Sequence, residues 1–211
     1  MYYRLRKKFR LARKNVPKFL ISLFGFGKWF ISIHKRPILT DSIAVSNDIP
    51  ANVSDCAIVM QGPVIREKNF TYETLSFYRR LYPGTIIILS TWESEKDYVS
   101  KFEKLGVKVL LNKPPVNPGE RHVNYQIVSA RAGIAEAKKR GAKYVLKTRT
   151  DQRLYSSNVL GLLYALIKVF PLADKVKRQY GQRERLIGIT SDTSRYKLFH
   201  FSDQFLFGHI D

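Results

Sequence analysis

Short apolar runs alternate with segments of helical length after residue 55, and this alternation constrains the fold more than any other feature. Four apolar runs rich in Val, Ile and Leu lie at residues 56–60, 85–89, 107–111 and 144–147. Segments long enough for helices lie between them, at residues 71–81, 93–105 and 120–140. Apolar strands separated by helices are typical of a parallel sheet that is covered on both faces. The sequence therefore predicts a doubly wound α/β domain with a mainly parallel sheet flanked by helices, rather than a β-sandwich or a helical bundle.

The segment 120–140 has the clearest helical period. Gly141 follows it in the position where helices commonly end. Its apolar side chains recur at helical spacing on one face, at Val123, Ile127, Ala130, Ile134 and Ala137. This spacing predicts an amphipathic helix.

Basic residues are concentrated at the N-terminus. The chain has 37 Lys and Arg against 17 Asp and Glu, and eleven basic residues precede the first acidic one, Asp41, which leaves an excess of nine for the rest. Apolar side chains recur among these charges on one helical face, at Leu5, Phe9, Ala12 and Val16. We therefore expect residues 1–36 to form a basic amphipathic segment that docks on an anionic membrane surface. A signal anchor, or a helix that packs on the domain, are the alternatives.

The apolar run at residues 19–33 contains two glycines and Lys28. It is shorter than the 18 or so uninterrupted apolar residues that a bilayer span requires, so we expect it to lie at the membrane surface. Residues 37–54 contain Pro, Ser, Asn and Asp with little periodicity, which indicates a linker. The folded domain is therefore predicted to comprise residues 55–211.

Several site types are excluded by composition and motif. Cys56 is the single cysteine, so the chain has no internal disulfide, and no Cys/His spacing typical of a structural zinc site occurs. The sequence also contains no GxGxxG, GxxxxGK[ST] or GxSxG motif. A disulfide-stapled scaffold, a P-loop enzyme and a serine hydrolase are therefore not supported, and a reducing compartment is favoured.

Ligands bind beyond the carboxyl ends of the strands in such sheets, which directs attention to the loops after the four runs. Asp151 follows the fourth run, where one carboxylate can hold a divalent ion that bridges the oxygens of a diphosphate. Arg149 or Arg153 can offset phosphate charge. The alternative is that Asp151 caps a helix near Ser156 or pairs with one of these arginines.

Arg121 and Asn124 lie in the first turn of the helix 120–140 and face the same side, so they are candidates for a diphosphate site at the positive end of that helix. An ordinary solvated turn is the alternative. Gln126 points elsewhere on the helical wheel, and we expect it to reach toward the loop of Asp151.

The turn Gln61, Gly62 and Pro63 after the first run allows the backbone to approach a nucleotide base or ribose, or is purely structural. Trp92, after the second run, either stacks on a base or packs in the fold. Asp203 precedes the aromatic segment 205–208, and it is either the general base for an acceptor hydroxyl group or a capping residue.

Four segments in order, at residues 57–63, 121–126, 144–151 and 202–208, resemble the WavE lipopolysaccharide-synthesis family. That family is similar to glycosyltransferases of the GT-A fold, so the resemblance implies a GT-A-like, Rossmann-like sheet and donor binding by Gln61, Gly62, Pro63, Arg121, Asn124, Gln126 and Arg149. Asp151 matches the last acid of the DxD-type motif, which implies a divalent metal, Mn or Mg, although Arg149 stands at the first acid. The chain ends at Asp211, which predicts an incomplete acceptor half.

The resemblance implies transfer of a sugar from a nucleotide-sugar donor to a lipopolysaccharide core or another surface glycan. Arg121 and an ion at Asp151 stabilise the leaving diphosphate, and Asp203 activates the acceptor in a single, inverting displacement. The expected location is cytoplasmic, peripheral on the inner face of the bacterial cytoplasmic membrane. A catalytically silent membrane-docking remnant and a basic nucleic-acid-binding module are the alternatives. No nucleic acid is expected, because RNA- and DNA-binding motifs are absent and the charge is concentrated in the leader.

Overall fold

A computed structural model describes residues 54–189 and 202–211, which belong to one compact unit. The predicted basic segment 1–36 lies outside the described residues, as does all but the last residue of the linker 37–54. Their predictions therefore stay predictions.

A mainly parallel sheet forms the centre of the described part of the chain. Its strands are β1 (Cys56–Gln61), β2 (Ile86–Trp92), β3 (Lys108–Asn112), β4 (Tyr144–Arg149), β5 (Ile187–Gly188) and β6 (Leu206–His209). They lie in the order β3-β2-β1-β4-β6-β5. The first four strands are mutually parallel, and β6 runs antiparallel to both β4 and β5. The predicted fold class, a mainly parallel α/β sheet flanked by helices, is confirmed.

The described residues contain five α-helices. They are α1 (Phe70–Leu81), α2 (Val99–Glu103), α3 (Val123–Lys139), α4 (Val159–Val169) and α5 (Asp174–Tyr180). The helix predicted at 93–105 is instead a 3-10 segment, Glu93–Tyr98, followed by the short α2. The tighter winding places Glu95 in a buried position, where its carboxylate pairs with Arg66 at 3.0 Å. No helix of the described residues combines the length and apolarity that crossing a bilayer requires.

Each face of the sheet has its own apolar core. Ile58 and Met60 of β1 pack on one face with Leu75 and Tyr78 of α1 and with Phe207 of β6. On the other face, alternate residues of the same strand pack under α3 with its Ala137. Burial of each large apolar side chain contributes about 1.5–3 kcal/mol. Two covered faces explain why the strands are continuous apolar runs in the sequence.

Helix α3 packs on the sheet through small residues rather than through its largest apolar side chains. Its buried positions are Ser129, Gly133 and Ala137. A Cβ atom at Gly133 would lie 2.3 Å from Val59 Cγ1, so only glycine permits this close approach. The predicted apolar face is therefore wrong at its first two positions, since Val123 and Ile127 are exposed. Close helix–sheet contact at the small residues rotates those two side chains away from the core.

The chain changes direction across the sheet between β1 and β4. After β1 it continues to β2 and β3 on one side, and then returns to β4 on the other side of β1. The connections that leave β1 and β4 therefore run to opposite sides at a topological switch point, where Gln61 and Arg149 are register partners. Open α/β sheets bind their ligands at such a point.

Candidate active site

Arg149 joins two carboxylates at the end of β4. Its Nε and Nη2 donate to the two carboxylate oxygens of Asp151 at 2.9 and 2.7 Å, and its Nη1 donates to Asp203 Oδ2 at 3.2 Å. All three side chains are about one-third to two-fifths exposed, so the cluster faces solvent. The hydrogen bonds to Asp151 are the main cause that raises the pKa of Arg149, which keeps the guanidinium charged. The alternative that Asp151 pairs with Arg149 is therefore confirmed.

Lys147 extends this cluster beneath the surface, and sequence reasoning missed it. The side chain is buried, and its Nζ donates to the main-chain oxygen of Asp203. Burial lowers the pKa of Lys147 to about 8, against the attraction of Asp203 and Asp151. The signal in the sequence was a lysine at the end of the otherwise apolar run 144–147.

A buried polar network lies beneath the neighbouring strand ends. Ser129 Oγ lies 2.6 Å from Gln61 Oε1, Ser90 Oγ donates to the main-chain oxygen of Ser129 at 2.7 Å, and Asn112 Nδ2 donates to Ser90 Oγ at 2.9 Å. The network fixes α3 over the ends of β1, β2 and β3. Gln61 is 4% exposed, so its side chain forms the floor of the site.

The turn after β1 is held against the turn after β4. Gly62 N donates to Ser90 O at 3.1 Å, and Thr150 N donates to Gln61 O at 3.1 Å. Gly62 has a φ of 123°, and a Cβ there would lie 2.8 Å from Thr150 Oγ1. Glycine is required for this close approach. Pro63 is exposed at the rim beside it.

The start of α3 lies at the same edge of the sheet. Asn124 Nδ2 donates to the main-chain oxygen of Asn117 at 3.0 Å, which attaches α3 to the loop after β3. Arg121 lies in the 3-10 turn Glu120–His122 that precedes α3, and its side chain is outside the described part of the structure. Gln126 is half-buried on α3 and makes no hydrogen bond to the loop 148–153 in the described residues. The ligand contacts of these three residues remain predictions.

Two further candidates pack in the fold. Trp92 is 7% exposed and meets the ring of Tyr125 edge-on at 4.9 Å, so the packing alternative holds for it. Arg153 donates to Thr74 Oγ1 at 2.9 Å and lies over the ring of Phe70. It therefore belongs to the α1 side of the fold rather than to the cluster at Arg149.

The cluster of Arg149, Asp151 and Asp203 does not form a preorganised metal site. Both oxygens of Asp151 accept hydrogen bonds from Arg149, and no group of three or more His, Cys, Asp or Glu side chains converges on one point in the described residues. A Mg²⁺ ion bound by one or two carboxylates and substrate phosphates would require Asp151 to release the guanidinium. In this arrangement the positive charge of Arg149 stands directly beside the carboxylate of Asp151.

Comparison with known proteins places the chain in a family. A model of the family described as WavE lipopolysaccharide synthesis matches residues 56–211. No curated protein matches the chain significantly.

Two solved structures are similar over part of their length. One is 4-diphosphocytidyl-2C-methyl-D-erythritol synthase from Anaerococcus prevotii, with 15% identity, a TM-score of 0.39, and coverage of 53% of this chain and 50% of that chain. The other is a mutant of UDP-glucose pyrophosphorylase from Leishmania major, with 11% identity, a TM-score of 0.40, and coverage of 97% and 61%. The chain thus spans half of one of these proteins and about three fifths of the other. Likenesses this distant carry no functional argument.

Proposed function

Because the chain belongs to the WavE lipopolysaccharide-synthesis family over residues 56–211, we propose that it is a glycosyltransferase. The proposed reaction moves a sugar from a nucleotide-sugar donor to a hydroxyl group of a lipopolysaccharide core or another surface glycan. The observation that carries the proposal is the convergence of Arg149, Asp151 and Asp203 at the switch point of the sheet.

The donor diphosphate would bind where Arg149 meets the start of α3. Of the five N–H groups of Arg149, three donate to the two carboxylates within the described residues, and the other two are proposed to contact phosphate oxygens. The N-terminal end of α3 adds a positive dipole from the same side of the sheet, with Asn124 in its first turn and Arg121 in the 3-10 turn that precedes it. Gln61, Gly62 and Pro63 would contact the base or ribose at the adjacent strand end.

In the proposed reaction the acceptor oxygen forms a bond to the anomeric carbon of the sugar as the bond from that carbon to the diphosphate breaks. The acceptor proton passes to Asp203, and the bonding electrons leave with the nucleoside diphosphate. Asp203 Oδ1 makes no hydrogen bond within the described residues, so one oxygen of this carboxylate is available as the base. Arg149 and Arg121 would stabilise the negative charge that develops on the leaving group. A single displacement of this kind inverts the configuration.

A divalent metal and a membrane surface complete the proposal. Asp151 is the candidate ligand for Mn²⁺ or Mg²⁺, and an ion there would replace the guanidinium of Arg149 as the partner of this carboxylate. The basic segment 1–36 is proposed to hold the protein on the inner face of the cytoplasmic membrane, near a lipid-linked saccharide acceptor.

A screen of nucleotide sugars tests the function. The full-length protein would be melted with UDP-, CMP-, GDP- and ADP-sugars, each with and without Mn²⁺, because a ligand that binds the native state raises the melting temperature. The donor that stabilises the protein would then be incubated with rough lipopolysaccharide, and the product mass measured. We expect the acceptor mass to increase by one sugar residue.

Asp151→Ala should abolish this transfer, whereas Asp174→Ala should retain it, since Asp174 is an exposed carboxylate on α5 that pairs with Lys177. Equal transfer by both variants would remove Asp151 from the mechanism. Stabilisation by a donor without product would favour a silent remnant. Failure of every donor, together with salt-sensitive binding to RNA or DNA, would favour the nucleic-acid module.

A further inference from the structure

Lys147 is a buried cation that the reaction above does not use. It lies on β4, between Val59 of β1 and Leu206 of β6 in the register of the sheet, and its side chain is 5% exposed. Residues two apart on a strand point to the same face, so Lys147 stands directly beneath Arg149. Its burial prevents direct contact with a substrate that binds at the rim.

Two cations from one strand hold one residue of another segment. Lys147 Nζ donates to the main-chain oxygen of Asp203, and Arg149 Nη1 donates to the carboxylate of the same residue at 3.2 Å. Asp203 lies three residues before the start of β6, which pairs with β4. The backbone and the side chain of Asp203 are therefore fixed separately against the end of β4.

Burial of an ammonium group costs free energy, because the charge loses its hydration. Burial disfavours the charged form and, together with the repulsion by Arg149, lowers the pKa of Lys147 to about 8, against the attraction of Asp203 and Asp151. A methionine would occupy the same volume without this penalty. The contact to Asp203 is what the lysine adds at this position.

We infer that Lys147 is a positioning residue, which holds the main chain of Asp203 at the end of β4 so that the Asp203 carboxylate faces the acceptor hydroxyl group. The inference rests on the proposed glycosyltransferase function and deepens it. Because Lys147 acts through Asp203, its loss should affect the chemical step and leave donor binding unchanged. A misplacement of about 1 Å at a reacting group costs about 100-fold in rate.

The test compares Lys147→Met with Lys147→Arg and with Lys143→Met in the full-length protein. Lys143 is an exposed lysine immediately before β4, so its replacement controls for loss of a charge. We expect Lys147→Met to lower kcat by about 10- to 100-fold while the KM for the donor stays within about twofold. Lys147→Arg keeps the charge and the donors and should recover part of kcat. Unchanged kcat in Lys147→Met, or a change confined to the donor KM, would overturn the inference.

Amide hydrogen exchange gives a readout that does not need activity. In Lys147→Met, peptides covering residues 202–206 should exchange faster than in the wild type, and peptides covering β2 should exchange at the same rate. If the wild type binds and transfers no sugar, the proposed function fails, and exchange still decides the role of Lys147. Equal exchange rates at residues 202–206 in the wild type and in Lys147→Met would overturn the inference that Lys147 positions Asp203.

Discussion

The burial of Lys147 predicts an unusual dependence of stability on pH, which the variant Lys147→Met should remove. The pKa of the lysine is lowered from its ordinary 10.5 to about 8, chiefly by desolvation. One pKa unit corresponds to about 1.4 kcal/mol, so keeping this group charged in the folded state costs about 3 kcal/mol.

The number of protons bound in each state decides whether stability rises or falls with pH. Between about pH 8 and pH 10.5 the unfolded chain keeps the proton on Lys147 while the folded protein has released it, so the unfolded state binds more protons and the free energy of unfolding rises with pH. From about pH 7 to about pH 9.5 the contribution of Lys147 to wild-type stability should rise by about 2 kcal/mol. Lys147→Met lacks this rise.

Urea unfolding of wild type and variant at both pH values measures the effect. The other titrating groups are common to both proteins, so the difference between their free energies of unfolding isolates Lys147. The free energy of unfolding of Lys147→Met, relative to that of the wild type, should fall by about 2 kcal/mol between the lower and the higher pH. The free energy of unfolding of Lys143→Met should change with pH as that of the wild type does. A difference that stays constant with pH would refute the assignment of Lys147 as a buried, charge-penalised residue.

Three further predictions concern the packing of α3 and the chemical step. Gly133→Ala should lower the free energy of unfolding by about 1–3 kcal/mol in urea, because the new Cβ would lie 2.3 Å from Val59 Cγ1; unchanged stability would contradict the close packing. Ser129→Ala should cost about 1–3 kcal/mol in the same assay, since it leaves the buried Gln61 Oε1 without its donor; a neutral effect would show that water replaces the hydroxyl. Asp203→Asn should reduce kcat by about 10²- to 10⁴-fold with donor affinity retained, as measured by initial rates and calorimetry, and wild-type kcat would exclude Asp203 as the base.

Local patterns in the sequence were sufficient for the order of strands and helices up to β4. Apolar runs and helical periods are short-range signals, and they located the loops at the carboxyl ends where Asp151 and Gln61 lie. The pairing of Asp151 with Arg149, two residues apart, was also among the alternatives that local reasoning offered.

Contacts between distant segments were beyond such reasoning. Arg149 and Asp203 are separated by 54 positions, and their pairing depends on the antiparallel addition of the four-residue strand β6 beside β4. The hydrophobic pattern of α3 favoured a face through Ile127, because small residues such as Gly133 carry little hydropathy signal although they set the closest approach to the sheet. Lys147 was hidden for a related reason, since its partner is a main-chain oxygen rather than a charged residue nearby in sequence.

The affinity of the donor for Arg149→Gln tests the central claim most directly. Arg140→Gln is the matched control, because Arg140 is an exposed arginine directly after the last residue of α3, and it pairs with Glu136 at 2.7 Å. With the nucleotide sugar that stabilises the wild type, calorimetry should show about 10- to 100-fold weaker binding to Arg149→Gln and unchanged binding to Arg140→Gln, which corresponds to the loss of a charge-assisted hydrogen bond. Equal affinity in the two variants would contradict a diphosphate site at the end of β4.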